Sequence, residues 1–591
     1  MDPDGRRLTA QGRGAVASAP RSAAPRGAAG RWAAPLGWGL AVAVPLGFLG
    51  LFFAWPVAAL VARGFVSDVG APDLSGVQEV LSAPRTWRLV GQTLGQAVAG
   101  SVGAVLLGLP GAYLLYRTTF PGRSVVRGLV TVPFVLPTVV VGVAFKSLFQ
   151  PGGMLGWMQL EETFAAVVVA LVFFNYSVVV RTVGGLWERL DPRAEQAARA
   201  LGASPVRAFC TVTLPALAPA IASAAAVVFL FCATAFGVVM VLGGIGYGTI
   251  ETEIYQRTTQ FLDLRSASVL SVLQLLVITL ALWVAGRARA RREHALHLES
   301  DRTAAHRLRP RDLADGAALA VTAVTVVGLL VLPLAGLVVR SFRTPTGGWG
   351  LDNYVALGTT GGRNALVVTV WEALGTSLRT AALATVMAVV VGGLVALVVS
   401  RRPRARAARR AVGLLDAVVM LPLGVSAVTV GFGFLITLDR PLGLDVDLRT
   451  SGLLVPIAQA VVAVPLVVRT VLPVLRAIDP RLREAAGVLG ASPGRVLRDV
   501  DLPIALRSLG LAVGFAFAVS LGEFGATAFL ARPDSATLPV VIYRLIGRPG
   551  AENYGMALAA SVVLALLTAT VMMLAERLRG DRASGAAGGE F

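Results

Sequence analysis

The residue types that catalysis and covalent cross-linking rely on are scarce in this sequence. There are two cysteines, Cys210 and Cys232, which offer no disulfide framework. All three histidines, His294, His297 and His306, lie in one basic stretch, so no apolar segment contains a histidine. This distribution excludes most hydrolase triads and catalytic zinc sites, and the sequence predicts neither a metal site nor an enzyme.

Lysine is rarer still, and its scarcity excludes an ATP-binding loop. A P-loop needs Gly-Lys-Ser or Gly-Lys-Thr, in which the lysine reaches the phosphates. The chain contains one lysine, Lys146, and Phe145 precedes it. Any ATP that drives this protein therefore has to be hydrolysed on another polypeptide, and we expect no cofactor bound to this chain.

Charged residues are also few, and long apolar runs take their place. The 591 residues are 15% charged, against roughly 25% in soluble proteins, and 55% hydrophobic. Apolar runs of about 20 residues, long enough to cross a bilayer as a helix, recur along the chain. We predict an all-α polytopic membrane protein whose twelve spans are 36–63, 92–116, 128–149, 163–183, 216–243, 266–287, 315–340, 377–400, 411–437, 452–472, 504–531 and 555–577.

The net charge of +19 comes from arginines that are grouped in four places, namely 6–31, 117–127, 287–311 and 401–410. If the N-terminus is cytoplasmic and the helices alternate in direction, all four groups face the cytoplasm, as the positive-inside rule requires. We therefore predict that both termini are cytoplasmic and that the partner of the basic and apolar surface of this chain is membrane lipid. A basic tail that binds nucleic acid or anionic lipid is the rival interpretation, and we predict no nucleic acid partner.

The two halves of the chain repeat each other. Over about 75 residues without a gap, equivalent residues stand 288 positions apart: Arg181 and Arg469, Asp191 and Asp479, Gly202 and Gly490, Pro215 and Pro503, Phe236 and Phe524, Tyr255 and Tyr543. Each half has six predicted spans, an even number, so the repeats are parallel. We divide the chain into a disordered basic tail (1–33), a first six-helix repeat (34–287), a basic linker (288–314), a second six-helix repeat (315–578) and a C-terminal tail (579–591).

One polar stretch occurs in both halves between the fourth and fifth spans, as QAARALGASPVRAFCTVTLP from Gln196 and as EAAGVLGASPGRVLRDVDLP from Glu484. In the second copy, Asp479 suits a helix N-cap and Pro480 the first helical position. Gly490 is suited to the left-handed residue that ends a helix. The sequence therefore predicts two short helices joined at a glycine in each half.

The first of these short helices carries a face of small apolar residues, Ala485, Ala486 and Leu489, spaced so that another backbone can approach closely. A single loop of this kind would be explained equally well by packing against the helices of its own half as by docking to a partner. Two copies in matching places favour a paired docking surface for a two-fold partner.

The pattern E-A-A-x-x-L-G followed by L-P resembles the cytoplasmic signature loop of permeases from binding-protein-dependent ABC importers. The first copy departs from it, because Gln196 stands where the family has glutamate. The resemblance implies the type I importer permease fold, a bacterial cytoplasmic membrane location, two ATPase subunits that hydrolyse ATP, and an extracytoplasmic substrate-binding protein. It assigns the ATPase-coupling contacts to Gln196, Ala197, Ala198, Leu201, Gly202 and Arg207, and to Glu484, Ala485, Ala486, Leu489, Gly490 and Arg495.

A fused chain of double length resembles the thiamine and ferric-iron subgroups of these permeases. Residues 243–268 and 520–543 are more similar to thiamine permeases, although SLGEFG at 520–525 also resembles molybdate and sulfate permeases. Thiamine is the substrate that we expect, with ferric iron as the alternative. An ion-coupled secondary transporter and a membrane-embedded enzyme are the rivals from other classes.

Two ionisable residues in apolar runs, Glu523 and Arg379, are candidates for the translocation path. They either form an ion pair that locks two helices, or Glu523 lines the path and favours a cation. Ala235 is equivalent to Glu523, so we expect an asymmetric path. Tyr255 and Tyr543 in the outer loops either anchor the chain at the membrane interface or contact the binding protein.

Overall fold

Long apolar helices make up most of the structure, a computed structural model that describes residues 28–66, 71, 73–244, 246–290, 305–344, 347–401, 406–443 and 445–580. Within these residues, nine helices are long and apolar enough to cross a membrane, and three bent helix pairs raise the number to twelve. The described part of the chain contains one small sheet, in which Thr118–Thr119 pairs in parallel with His306–Arg307. The prediction of an all-α membrane protein is confirmed.

We number the spans in chain order. Those of the first half are span 1 (Ala28–Leu49, Gly50–Ala54 and Trp55–Arg63), span 2 (Pro84–Arg117), span 3 (Arg123–Val135 and Thr138–Phe149), span 4 (Phe164–Trp187), span 5 (Pro205–Ala208, Phe209–Thr213 and Leu214–Ala233) and span 6 (Leu264–Ala290). The shorter helices of this half are Ser75–Ser82, Gly156–Met158, Arg193–Ala200, Gly237–Leu242 and Ile250–Thr259.

The second half repeats this order. Its spans are span 7 (Leu313–Val324, Thr325–Val331 and Leu332–Ser341), span 8 (Val370–Val399), span 9 (Arg406–Gly424 and Ala427–Thr437), span 10 (Leu454–Ala477), span 11 (Pro493–Val496, Leu497–Asp501 and Leu502–Gly522) and span 12 (Ala551–Gly580). Its shorter helices are Asp352–Val355, Ala356–Gly358, Pro441–Gly443, Leu448–Thr450, Pro480–Val488, Thr527–Leu530, Pro533–Ser535 and Leu538–Ile546.

The predicted segment boundaries differ from the structure at the tail and the linker. The first helix begins at Ala28, inside the predicted tail, and residues 1–27 lie outside the described part of the chain. The linker is described from residue 305, and span 7 begins at Leu313. Residues 291–304 and 581–591 lie outside the described residues.

Prolines shape the spans in a regular way. Four π-helical turns precede Pro56, Pro215, Pro333 and Pro503, and each turn ends two residues before its proline. A proline has no N–H to donate, and its ring clashes with the carbonyl four residues earlier, so the preceding turn widens. These positions are equivalent in the two halves, so the proline pattern is part of the repeat.

Spans 3 and 9 are sharply bent, by 105° and 98°, although each was predicted as a continuous helix. In span 3 the break lies at Leu136, which is extended because Pro137 follows it. In span 9 the second helix begins at Ser426, whose hydroxyl accepts a hydrogen bond from the backbone N–H of Val428 at 3.0 Å.

Spans 5 and 11 are also interrupted, which the predictions 216–243 and 504–531 missed. Their main helices end at Ala233 and Gly522, and the interrupted segments pack on the bends of spans 3 and 9. A Cβ atom on Gly237 would lie 2.4 Å from Thr138 Oγ1, and one on Gly525 would lie 2.9 Å from the Ala427 Cβ. Only glycine permits this approach, which explains why this glycine occurs in both halves.

The two halves are interlocked by their first spans. Span 1 packs on spans 8 and 9 of the second half, and span 7 packs on spans 2 and 3 of the first half. The largest buried cluster accordingly draws on both halves, with Phe236 and Ile254 from one and Phe524 and Ile542 from the other. The interface between the halves is therefore a part of the hydrophobic core.

Spans 8 and 10 pack closely at Gly392, and this contact generates a prediction. A Cβ on Gly392 would lie 2.9 Å from the Cβ of Val467, whereas nothing lies within 4 Å of a Cβ on the neighbouring Gly393. We expect Gly392→Val to lower the free energy of unfolding by about 1–3 kcal/mol through overpacking. Denaturant unfolding of the purified protein in detergent measures this. Gly393→Val is the control, and an equal loss in both variants would contradict the close contact.

Candidate coupling loops and translocation path

The two polar loops begin with the helix caps that their sequence predicts. The side chain of Asp479 accepts a hydrogen bond from the backbone N–H of Arg481 at 2.9 Å. In the first half, Asp191 accepts one from the backbone N–H of Arg193 at 2.8 Å. Aspartate at this position satisfies a backbone donor that the helix itself leaves unpaired.

A glycine ends the first short helix of each loop, as predicted. Gly202 has φ of 90° and Gly490 has φ of 84°, a left-handed conformation in which a side chain is strained. The second short helix then begins at Ser204 or Ser492, whose hydroxyl accepts from a backbone N–H three residues later at 3.3 Å or 3.4 Å. The predicted helix–glycine–helix shape is confirmed in both copies.

Most of the residues that were assigned to the coupling contacts are exposed, in the same pattern in both loops. Leu201 is 90% exposed and Leu489 is 88% exposed, so each loop presents a bare leucine. Ala198 and Ala486 are half-buried against their own bundle. Fewer of the predicted small residues are therefore exposed for contact with a partner. The other assigned residues are exposed: Gln196, Ala197, Gly202 and Arg207 in the first loop, and Glu484, Ala485, Gly490 and Arg495 in the second.

At the opposite end of spans 5 and 11, four aromatic rings meet where the halves join. The helices Leu214–Ala233 and Leu502–Gly522 are each about 30 Å long, so Phe236 and Phe524 lie far from the loops. These two rings are stacked, with centroids 5.3 Å apart and an interplanar angle of 19°. Tyr255 packs on Phe236 at 5.4 Å and Tyr543 on Phe524 at 5.3 Å.

We call these four rings the aromatic cluster. Its members are equivalent in pairs, so the repeat axis passes through the stack of Phe236 on Phe524. Tyr255 and Tyr543 both pack into this cluster, and their two interpretations, as interfacial anchors or as contacts for the binding protein, stay predictions. The 288-residue spacing of Phe and Tyr was visible in the sequence, but which rings would touch was not.

Glu523 lies beside the aromatic cluster and is buried. Its carboxylate accepts hydrogen bonds from the backbone N–H groups of Ala526 at 2.7 Å and Thr527 at 3.0 Å, and from the Thr527 hydroxyl. Arg379 lies on the exposed side of span 8. The structure therefore does not bring Glu523 and Arg379 together, and the role of Arg379 in the path stays a prediction.

A second buried carboxylate, Glu251, was missed by the sequence analysis. It is fully buried in the helix Ile250–Thr259, next to Tyr255, and accepts a hydrogen bond from the side-chain amide of Gln274. The bonds described for Glu251 and Glu523 thus come from uncharged groups. Within the described residues, no group of three or more His, Cys, Asp or Glu side chains is placed to hold a metal ion.

A chain of ion pairs borders the same helix on its other side. Glu253 pairs with Arg85 at 2.7 Å and with Arg257 at 3.0 Å, and Arg257 pairs with Asp263 at 2.8 Å. Burial opposes the charged form of Asp263, but hydrogen bonds from Ser266 and Arg257 outweigh it and lower the pKa of this carboxyl. These pairs hold the helix Ile250–Thr259 against the start of span 2.

Comparison with known families agrees with this two-fold architecture. The family described as the binding-protein-dependent transport system inner membrane component matches the sequence twice, at residues 104–292 and 392–581. The chain belongs to this family. It is thus a permease of the inner membrane, and the predicted membership in the permeases of binding-protein-dependent importers is confirmed.

Similar permeases include double-length and single-length chains. The thiamine transport system permease protein ThiP of Brucella suis is 28% identical over 84% of this chain and 88% of its own. ThiP of Escherichia coli is 28% identical over 84% of this chain and 89% of its own. The sulfate transport system permease protein CysT of Escherichia coli is 33% identical over 40% of this chain and 86% of its own.

Among solved structures, a bacterial ABC transporter involved in the import of alginate contains a similar chain. It is 15% identical, covers 44% of this permease and 96% of its own chain, and has a TM-score of 0.39.

The stack of Phe236 on Phe524 in this permease yields a second prediction. We expect Phe236→Ala and Phe524→Ala to be non-additive in the free energy of unfolding, with a coupling of about 0.5–1.5 kcal/mol, because each truncation removes the same ring contact. Denaturant unfolding of the two single variants and the double variant gives this value. Phe236 and Phe145 belong to different buried clusters and serve as the additive control. Additivity of Phe236 and Phe524 would show that the rings do not stack.

Proposed function

We propose that this chain is the permease of a thiamine importer. The observation that carries the proposal is the cluster of four aromatic rings at the junction of the halves, with the buried Glu251 and Glu523 in the segments that contain Tyr255 and Phe524. The similarity to thiamine permeases along 84% of the chain supports it, since the similarity to the sulfate permease covers 40%.

The chemistry of this junction suits an aromatic cation. Thiamine carries a positive thiazolium ring and a pyrimidine ring, and aromatic faces attract cations while they also stack on flat rings. Glu251 and Glu523 add carboxyl oxygens whose described hydrogen bonds come from uncharged groups, so a cation would meet no competing positive side chain in those bonds. An anion such as sulfate is disfavoured here, and ferric iron would use the carboxylates without the rings.

The transport cycle that we propose is alternating access. A binding protein delivers the solute to the aromatic-cluster end, which faces outward. The two loops face the cytoplasm with both termini, and each seats in a separate ATPase subunit. Since this chain has no P-loop, ATP is bound and hydrolysed by those subunits. When the two ATPase subunits close on each other, they move the loops. The two halves of the permease then rotate relative to each other and so open and close the path.

Uptake by intact cells tests the substrate. A strain without this gene should lose uptake of labelled thiamine and retain uptake of labelled ferric iron and sulfate, and the wild-type gene should restore it. We expect loss of thiamine uptake alone because the aromatic rings and carboxyl groups at the junction suit an aromatic cation. Loss of iron uptake alone would overturn the substrate and leave the permease architecture in place.

The coupling role of the second loop is tested at its left-handed glycine. Gly490→Val forces a branched side chain into φ of 84°, which costs about 1–2 kcal/mol, and we expect reduced thiamine uptake and reduced co-purification of the ATPase subunit. Gly487→Val is the matched control, since it adds the same atoms to open space within the helix. Equal transport by both variants would contradict the coupling role of this loop shape.

A further inference from the structure

A charged cluster holds the second loop to its own bundle. Asp501 is fully buried, and its carboxylate accepts a hydrogen bond from Arg483 Nε at 2.6 Å and another from Arg401 Nη2. Arg483 lies in the loop helix Pro480–Val488, Asp501 in the π turn of span 11, and Arg401 just beyond span 8. One carboxylate therefore joins three elements of the second half.

In the first half, the three corresponding elements (the loop helix, span 5 and span 2) meet with a different arrangement of charged groups. The residues equivalent to Arg483 and Asp501 are Glu195 and Thr213, and the Thr213 hydroxyl donates to Glu195 Oε2 at 2.8 Å. Arg117, the last residue of span 2, lies within electrostatic range of Glu195 and donates to the carbonyl of Leu190 at 3.4 Å. Here the carboxylate is on the loop helix, and the span provides a neutral hydroxyl.

Both arrangements satisfy one physical requirement. A carboxylate or a guanidinium taken out of water has to be paired, because unpaired burial is costly. Arg483 and Arg401 keep 17% and 28% of their side chains exposed, and Asp501 keeps none. Loss of Asp501 would remove the carboxylate that bonds to both Arg483 and Arg401, so the loop helix would lose this connection to spans 8 and 11.

We propose that Asp501 and Glu195 are positioning residues that fix the two loops to the transmembrane bundle, and that the carboxylate can come from either the loop or the span. This inference rests on the proposed coupling function for its effect on transport, but not for the anchoring itself. It accounts for the reversal of charge between Glu195 and Arg483 at equivalent positions.

The test transplants the first arrangement into the second half. Asp501→Thr should speed amide hydrogen exchange over residues 480–496 of the purified permease by on the order of tenfold, because the loop opens locally. The double variant Arg483→Glu with Asp501→Thr recreates the Glu195–Thr213 pair next to Arg401, and we expect exchange and thiamine uptake to return towards wild type. Asp499→Thr removes an exposed carboxylate two residues away and is the control.

Exchange that is equally fast in the single and double variants, or unchanged in Asp501→Thr, would overturn the anchoring. Faster exchange in Asp501→Thr with normal uptake would support the anchor and overturn the proposed coupling function.

If Asp501→Thr does not fold, the first half offers a second test. Thr213→Asp places a carboxylate against Glu195 and should speed exchange over 193–207, and adding Glu195→Arg should reverse this; no reversal would overturn the inference.

Discussion

The crossing of spans 1 and 7 onto the opposite half is the constraint on which the rest of the structure depends. Each half completes its core with a helix from the other, so the halves cannot separate without exposing a large apolar surface. Any opening of a path between them has to proceed by rotation or sliding of packed helices about these shared contacts. The stack of Phe236 on Phe524 joins the two halves, so motion of either half would change the contact between these rings.

Spans 5 and 11 provide the physical connection between the two ends of the molecule. The helix Leu502–Gly522 begins directly after the anchored Asp501 and ends directly before Glu523 and Phe524. This helix of 21 residues is bent by 58° between Leu506 and Ser508, and its hydrogen-bonded backbone couples a displacement at one end to the other. The glycines at 237 and 525 then fit the ends of these helices into the bends of spans 3 and 9.

The sequence predicted what depends on local patterns. Caps at Asp191 and Asp479 and left-handed glycines at 202 and 490 follow from backbone requirements within a few residues. The interruptions after Ala233 and Gly522 were missed because apolar composition continues through them, and the hydrogen bonds of Glu523 with Ala526 and Thr527 are visible only in the structure. Contacts such as Arg401 with Asp501 join residues 100 positions apart, and no spacing rule predicts them.

The place of Glu523 beside the repeat axis has a consequence for how such a protein can be built. In an assembly of two identical chains, every residue near the axis occurs twice, and two carboxylates there would repel each other or share a proton. Here the equivalent position is Ala235, so a single carboxyl group, that of Glu523, precedes Phe524 at this stack. Joining both halves in one polypeptide thus permits an asymmetric distribution of polar groups at this junction, which two identical chains could not have.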